Sequence, residues 1–136
     1  MRDTDATGAL FFSRPLEIGL EAFEAYLDSK KFRWREMVNQ QNFFMPVVHV
    51  EGDFYAPVTV GDQLDVQWEV TAIHKRSFEH HSHFSLRGRE IGEAVFVHAV
   101  TSASSREAVV IPTHLHRWLI EAQGAQMSEE GSHFEV

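Results

Sequence analysis

The sequence predicts an α+β fold in which one long helix packs on an antiparallel sheet. Two observations carry this. Residues 10 to 30 repeat their apolar side chains at helical spacing, and from Phe43 onward the period switches to strict alternation until about residue 102. Consecutive alternating strands with one long helix to cover them form the α+β layer arrangement.

In "LFFSRPLEIGLEAFEAYLDSK", Pro15 suits a first helical turn, and Leu16, Leu20, Phe23 and Leu27 form the expected apolar stripe. "FRWREMVNQ" (Phe32 to Gln40) reads as a second, shorter helix or an irregular turn. "FFMPVVHVEGDFYAP" is a strand pair or one bent strand, with Gly52 at a bulge or kink. Gly61 and Asp62 mark a turn, after which Leu64, Val66, Trp68 and Val70 share one strand face. "RSFEHHSHFSLRGRE" continues as strand, and "EAVFVHAVTSAS" is apolar on both faces, as a covered central strand is. Ile111 to Ala122 is expected to be a terminal helix, and the residues beyond Ala122 are polar and expected to be loose.

A chain of 136 residues with 43% hydrophobic side chains suits one domain with a real core. We expect that domain over residues 1–122 and a polar tail over 123–136. No apolar run is long enough to span a bilayer and no charged-then-apolar leader opens the chain, so a soluble, cytoplasmic protein without a membrane partner is expected. The absence of cysteine removes disulfides, thiol nucleophiles and thiolate metal sites. Twelve basic against twenty acidic residues, a formal charge of −8, argue against nucleic-acid binding. One helix leaves a sheet face uncovered, so a homodimer or homotetramer is expected. Among nine histidines, His80, His81 and His83 cluster, but alternation puts His81 and His83 on one face and His80 on the other. That run does not converge three ligands, and no metal site is expected.

Two stretches go beyond fold class. "DTDATGALFF", leading directly into the helix, resembles the active-site signature of the 4-hydroxybenzoyl-CoA thioesterase family of the hotdog fold, with Asp3, Asp5, Gly8, Phe11 and Phe12 in the motif positions. "FFMPVVHVEGDFYAPVTVGDQL" is similar to the second-strand region of the 1,4-dihydroxy-2-naphthoyl-CoA thioesterase branch, through Pro46, Val48, His49, Asp53, Phe54, Ala56, Pro57, Gly61 and Asp62. "HKRSF", from His74, resembles that family's basic turn. Family members carry a strand ahead of the acidic signature, where this chain has only Met1 and Arg2.

The resemblance implies hydrolysis of an aromatic acyl-CoA, first 1,4-dihydroxy-2-naphthoyl-CoA, with 4-hydroxybenzoyl or aliphatic acyl-CoA as the runner-up, and no cofactor or metal. Thioester cleavage needs a nucleophile or base and a donor for the developing oxyanion. The resemblance gives the first role to Asp5 and the second to the backbone N–H of Phe12. Asp5 could instead cap a turn, as aspartates before glycines do. His49, Phe11 and Phe54 are implied to contact the acyl group, although aromatics in such strands also serve as ordinary core. His74, Lys75 and Arg76 are candidates for the coenzyme A phosphates, against the alternative of a solvated hairpin tip. Two other classes stay open. A hotdog hydratase wants a histidine near the helix, and none lies between Met1 and Pro46. A non-catalytic acyl-CoA binding protein would result if Asp5 were not held in place.

Overall fold

The computed structural model describes residues 13–29, 43–59, 61–124 and 132–135. The second helix expected over Phe32 to Gln40 lies outside them.

Helix α1 spans Ser13–Ser29. Pro15 sits in its first turn, where a missing N–H costs nothing. Arg14 Nη1 reaches Glu17 Oε2 and Glu21 Oε1, both at 3.3 Å, along the solvent side. The buried stripe is Pro15, Ile18, Gly19, Ala22 and Phe23, rotated from the expected one, with Leu16 and Leu20 half-buried at its flank. Gly19 explains the rotation. A Cβ there would lie 2.9 Å from Phe84 Cζ and 3.1 Å from Phe96 Cζ, so the helix presses its smallest residue onto two rings.

The strands are β1 (Phe43–Phe44), β2 (Val47–Phe54), β3 (Gln63–Ile73), β4 (Ser77–Leu86), β5 (Arg89–Ala99), β6 (Thr101–Ser102) and β7 (Ser132–Glu135). Five form an antiparallel sheet in the order β2-β5-β4-β3-β7, while β1 pairs with β6. The Phe43–Phe54 segment is thus one strand broken at Pro46, whose carbonyl still accepts from Ala99 N at 3.0 Å. The bulge in β2 falls between Val47 and His49, not at Gly52, which pairs regularly with Ala94. Gly52 is there for clearance: a Cβ would meet Glu93 O at 2.9 Å and Leu16 Cδ2 at 3.4 Å.

The β4–β5 hairpin closes through Arg87 and Gly88 at φ 53° and 80°, the paired positive φ of a two-residue primed turn. At the earlier turn, Asp62 Oδ2 accepts from Thr59 N at 2.9 Å and from its Oγ1 at 3.1 Å. Helix α2 spans Thr113–Gly124, two residues later than expected. Ile111 precedes a proline, which disfavours helix, and its N–H is already committed to Lys75 O at 3.0 Å. The tail is not loose throughout, because Ser132–Glu135 pairs with the edge of β3, with Phe134 opposite Leu64.

Both helices cover the same sheet face. Ile18 and Ala22 of α1 pack with Leu64, Val66, Phe84, Ile91, Ala94 and Phe96. Phe23 joins Phe43, Val70, Phe78, Val100 and the α2 residues Leu115 and Leu119 in a second cluster. Half-buried Trp68 touches both, edge-on to Phe23 at 4.9 Å. Among the described residues, no helix is long and apolar enough to cross a membrane.

Candidate active site

The direction of α1 orients everything else. Leu16 lies against Gly52, Gly19 against Phe84 and Phe96, and Phe23 stacks on His80 at 4.2 Å. The helix therefore runs antiparallel to β4, with its first turn over the Gly52 end of β2. That first turn carries N–H groups with no acceptor within the helix itself and the positive end of the helix dipole, which together suit a developing oxyanion. Asp5, Phe11 and Phe12 lie outside the described residues.

Among the described residues, Phe54 is the expected site residue that packs on the same core cluster as Leu16 of the first helical turn. It is half-buried on the helix face, tilted against Phe84 at 5.4 Å. Gly92 makes room for its ring: a Cβ there would overlap Phe54 Cδ1 and come within 2.7 Å of Cε1.

His49 lies elsewhere. It is 57% exposed on the face turned away from both helices, with Nε2 3.0 Å from Glu51 Oε1. Four residues of β2 separate it from Phe54.

His74, Lys75 and Arg76 form the exposed tip between β3 and β4. Their backbone is firmly held while their side chains are exposed. His74 N donates to Ser77 O at 2.8 Å, Arg76 O accepts from Val100 N at 2.9 Å, and Lys75 O accepts from Ile111 N. The His74 ring reaches Glu79 Oε2 at 3.3 Å. Arg87 and Arg89 lie at the opposite end of β4, roughly 30 Å away at the strand rise. The two basic clusters cannot hold the same phosphate. The turn also lies at the far end of α1 from its first residues, which are about 15 Å from Phe23 along the helix.

One polar feature of the core has no counterpart among the residues expected from the sequence. His80 and His98 are buried on the helix face, His80 Nδ1 lying 2.9 Å from His98 Nε2 and His98 Nδ1 3.1 Å from Met45 O. The carbonyl can only accept, so His98 carries its proton on Nδ1 and accepts on Nε2, and His80 donates from Nδ1. His80 Nε2 and Ser82 Oγ are then buried without hydrogen-bond partners among the described residues. Burial pushes the His80 imidazole well below its ordinary value, with His98 and His81 adding to it. Burial lowers His98 too, opposed by its bond to the Met45 carbonyl. Alternation in "SFEHHSHF" could have found His80, which shares its face with Phe78 and Phe84.

The fold and the sequence have clear relatives. A 1,4-dihydroxy-2-naphthoyl-CoA thioesterase from Synechocystis superimposes with a TM-score of 0.78, covering 90% of this chain and 91% of that one at 24% identity. A 1,4-dihydroxy-2-naphthoyl-CoA hydrolase of Synechococcus elongatus is 28% identical over 118 residues, 86% of this chain and 87% of its own. A Prochlorococcus marinus protein of the same name is 30% identical over 124 residues, 86% of this chain and 80% of its own. The model of the thioesterase-like superfamily matches residues 1–119 of the 136, and the chain belongs to that superfamily.

Proposed function

We propose that this protein is a thioester hydrolase that cleaves 1,4-dihydroxy-2-naphthoyl-CoA in quinone biosynthesis. The observation that carries the reading is that relatives bearing this activity in their names align over 86% of the chain. The order of parts supports it as well: the acidic signature is followed by a helix whose Leu16 packs on the same core cluster as Phe54.

In this reading the Asp5 carboxylate attacks the thioester carbonyl or activates the water that does. Charge then develops on the carbonyl oxygen, where the backbone N–H of Phe12 and the helix dipole stabilise it. Phe11 and Phe54 flank the flat acyl group. His74, Lys75 and Arg76 bind the phosphates, and the extended arm of coenzyme A bridges the distance from that turn to the helix start. The protein acts in the cytoplasm as a single domain, with α2 running to Gly124 and Ser132–Glu135 adding to the sheet. It works as a homodimer or homotetramer, which the apolar edge strand β2 supports, since Val48 is 61% and Val50 39% exposed there.

The test is hydrolysis of a panel comprising 1,4-dihydroxy-2-naphthoyl-CoA, 4-hydroxybenzoyl-CoA and an aliphatic acyl-CoA, monitored by release of the free thiol. The naphthoyl substrate should give the highest kcat/KM. A higher value for another member would replace the substrate, and tight binding without turnover of any member would make the chain a binding protein.

A further inference from the structure

The geometry points to a binding site for a zinc-class divalent cation on the open face of the sheet, held by Glu69, His81 and His83 with Glu93 beside them. This face is turned away from α1, so the site stands independently of the thioesterase reading.

Strand register builds it. Glu69 on β3 is directly opposite His81 on β4, and His83 is directly opposite Glu93 on β5. Diagonal neighbours then meet, with His83 Nε2 3.8 Å from Glu69 Oε1 and His81 Nε2 3.5 Å from Glu93 Oε2. The two imidazoles stack at 4.5 Å. One donor atom each from Glu69, His81 and His83 lies within 4.8 Å of the other two. A tetrahedral zinc centre with bonds of about 2.0–2.1 Å has ligand–ligand edges of about 3.3–3.4 Å. Side-chain rotation alone closes that difference, because three hydrogen-bonded strands already fix the backbone spacing.

Two further features distinguish this cluster from a solvated acidic face. The first is the second sphere. His83 Nδ1 is 2.7 Å from Glu90 Oε1, so its Nδ1–H donates to a carboxylate while the bare Nε2 lone pair faces Glu69. A carboxylate–histidine–metal relay has this form, in which the outer acid fixes the tautomer and aims the inner nitrogen. The second is His81 Nε2, which is shielded from water and makes no hydrogen bond among the described residues, although Glu93 Oε2 approaches to 3.5 Å. Three carboxylates around two imidazoles also need a counter-charge. Imidazole donors select zinc and its neighbours over calcium or magnesium, which want oxygen alone. A run of histidines in sequence supplies only two of these ligands. The third comes from a different strand, which register alone reveals.

The test is calorimetric titration of the full chain, without a histidine tag, with zinc chloride at neutral pH, and with cobalt(II) as a spectroscopic probe. A single equivalent should bind with micromolar affinity, and cobalt should show the intense visible bands of tetrahedral coordination. His81→Gln or His83→Gln should abolish that binding, whereas His116→Gln on α2 should leave it unchanged. Glu90 is exposed, so Glu90→Gln should keep the fold and weaken affinity about tenfold to a hundredfold. Binding that fails to saturate below millimolar zinc would overturn the proposal and leave His83 as a proton bridge between Glu69 and Glu90. Binding that survives in the His81→Gln, His83→Gln double variant, or is untouched by Glu90→Gln, would overturn it equally.

Discussion

Lowering the pH from about 7.5 to about 5.5 protonates His80 and His98 in the unfolded chain before it protonates them in the folded one. Both have an ordinary value of 6.5, and burial pushes both below it in the fold. Within that window the unfolded state binds more protons, so stability is fully present above 6.5 and is lost as the pH falls beneath it. A group that stays neutral in the fold contributes a limiting slope of about 1.4 kcal/mol per pH unit. Integrated over the interval, each imidazole costs about 1.4 kcal/mol and the pair up to about 2.7 kcal/mol, a large share of a marginal stability. Urea denaturation at a series of pH values measures this directly. His80→Phe keeps a ring between Phe23 and Phe96, on which His80 stacks at 4.2 and 4.6 Å, and it removes one of the two protonation events. The slope should halve in that variant, whatever its absolute stability. A flat profile across the window in the parent, or an unchanged slope in His80→Phe, would refute the reasoning.

Gly92→Ala should destabilise the protein by about 1–3 kcal/mol, because the new Cβ collides with the Phe54 ring and sits 2.9 Å from Asp53 O. Part of that loss should be recovered in the Gly92→Ala, Phe54→Ala double variant, and a strictly additive cycle would show that the ring is not the obstacle. Arg87→Asn should raise stability by about 0.5 kcal/mol, since asparagine tolerates the left-handed conformation that Arg87 holds at φ 53°; denaturation midpoints check it. Lys75→Glu with Arg76→Glu should raise KM for the acyl-CoA about tenfold, the loss of one charge-assisted contact, with kcat little changed. An unaltered KM would return that turn to the role of a solvated tip.

The elements were legible wherever one period dominated. Leu64, Val66, Trp68 and Val70 share a face as alternation requires, and β5, apolar on both sides, is an interior strand paired on both edges. Local pattern failed where a distant contact decided the outcome. The helix stripe turned because Phe84 and Phe96, more than sixty residues downstream, accept Gly19. Gly52 looked like a kink, yet its role is to clear Glu93 O and Ala94 Cβ of the neighbouring strand β5. The start of α2 moved because Lys75 claims the Ile111 amide. Four residues of the tail became a strand because β3 had an unpaired edge to offer. Site residues obeyed the same rule. Phe54 lies where its strand parity puts it, while the His80–His98 pair and the Glu69–His81–His83 cluster arise from pairing between strands that no single segment encodes.

The sharpest discriminator is the hydrolysis of 1,4-dihydroxy-2-naphthoyl-CoA by the parent beside Asp5→Asn. The substitution keeps size and hydrogen-bonding shape while removing the nucleophile or base. If Asp5 carries the chemistry, kcat falls by about 10²–10⁴ with KM nearly unchanged. An Asp5→Asn protein that turns over the substrate at the parent rate would contradict that role.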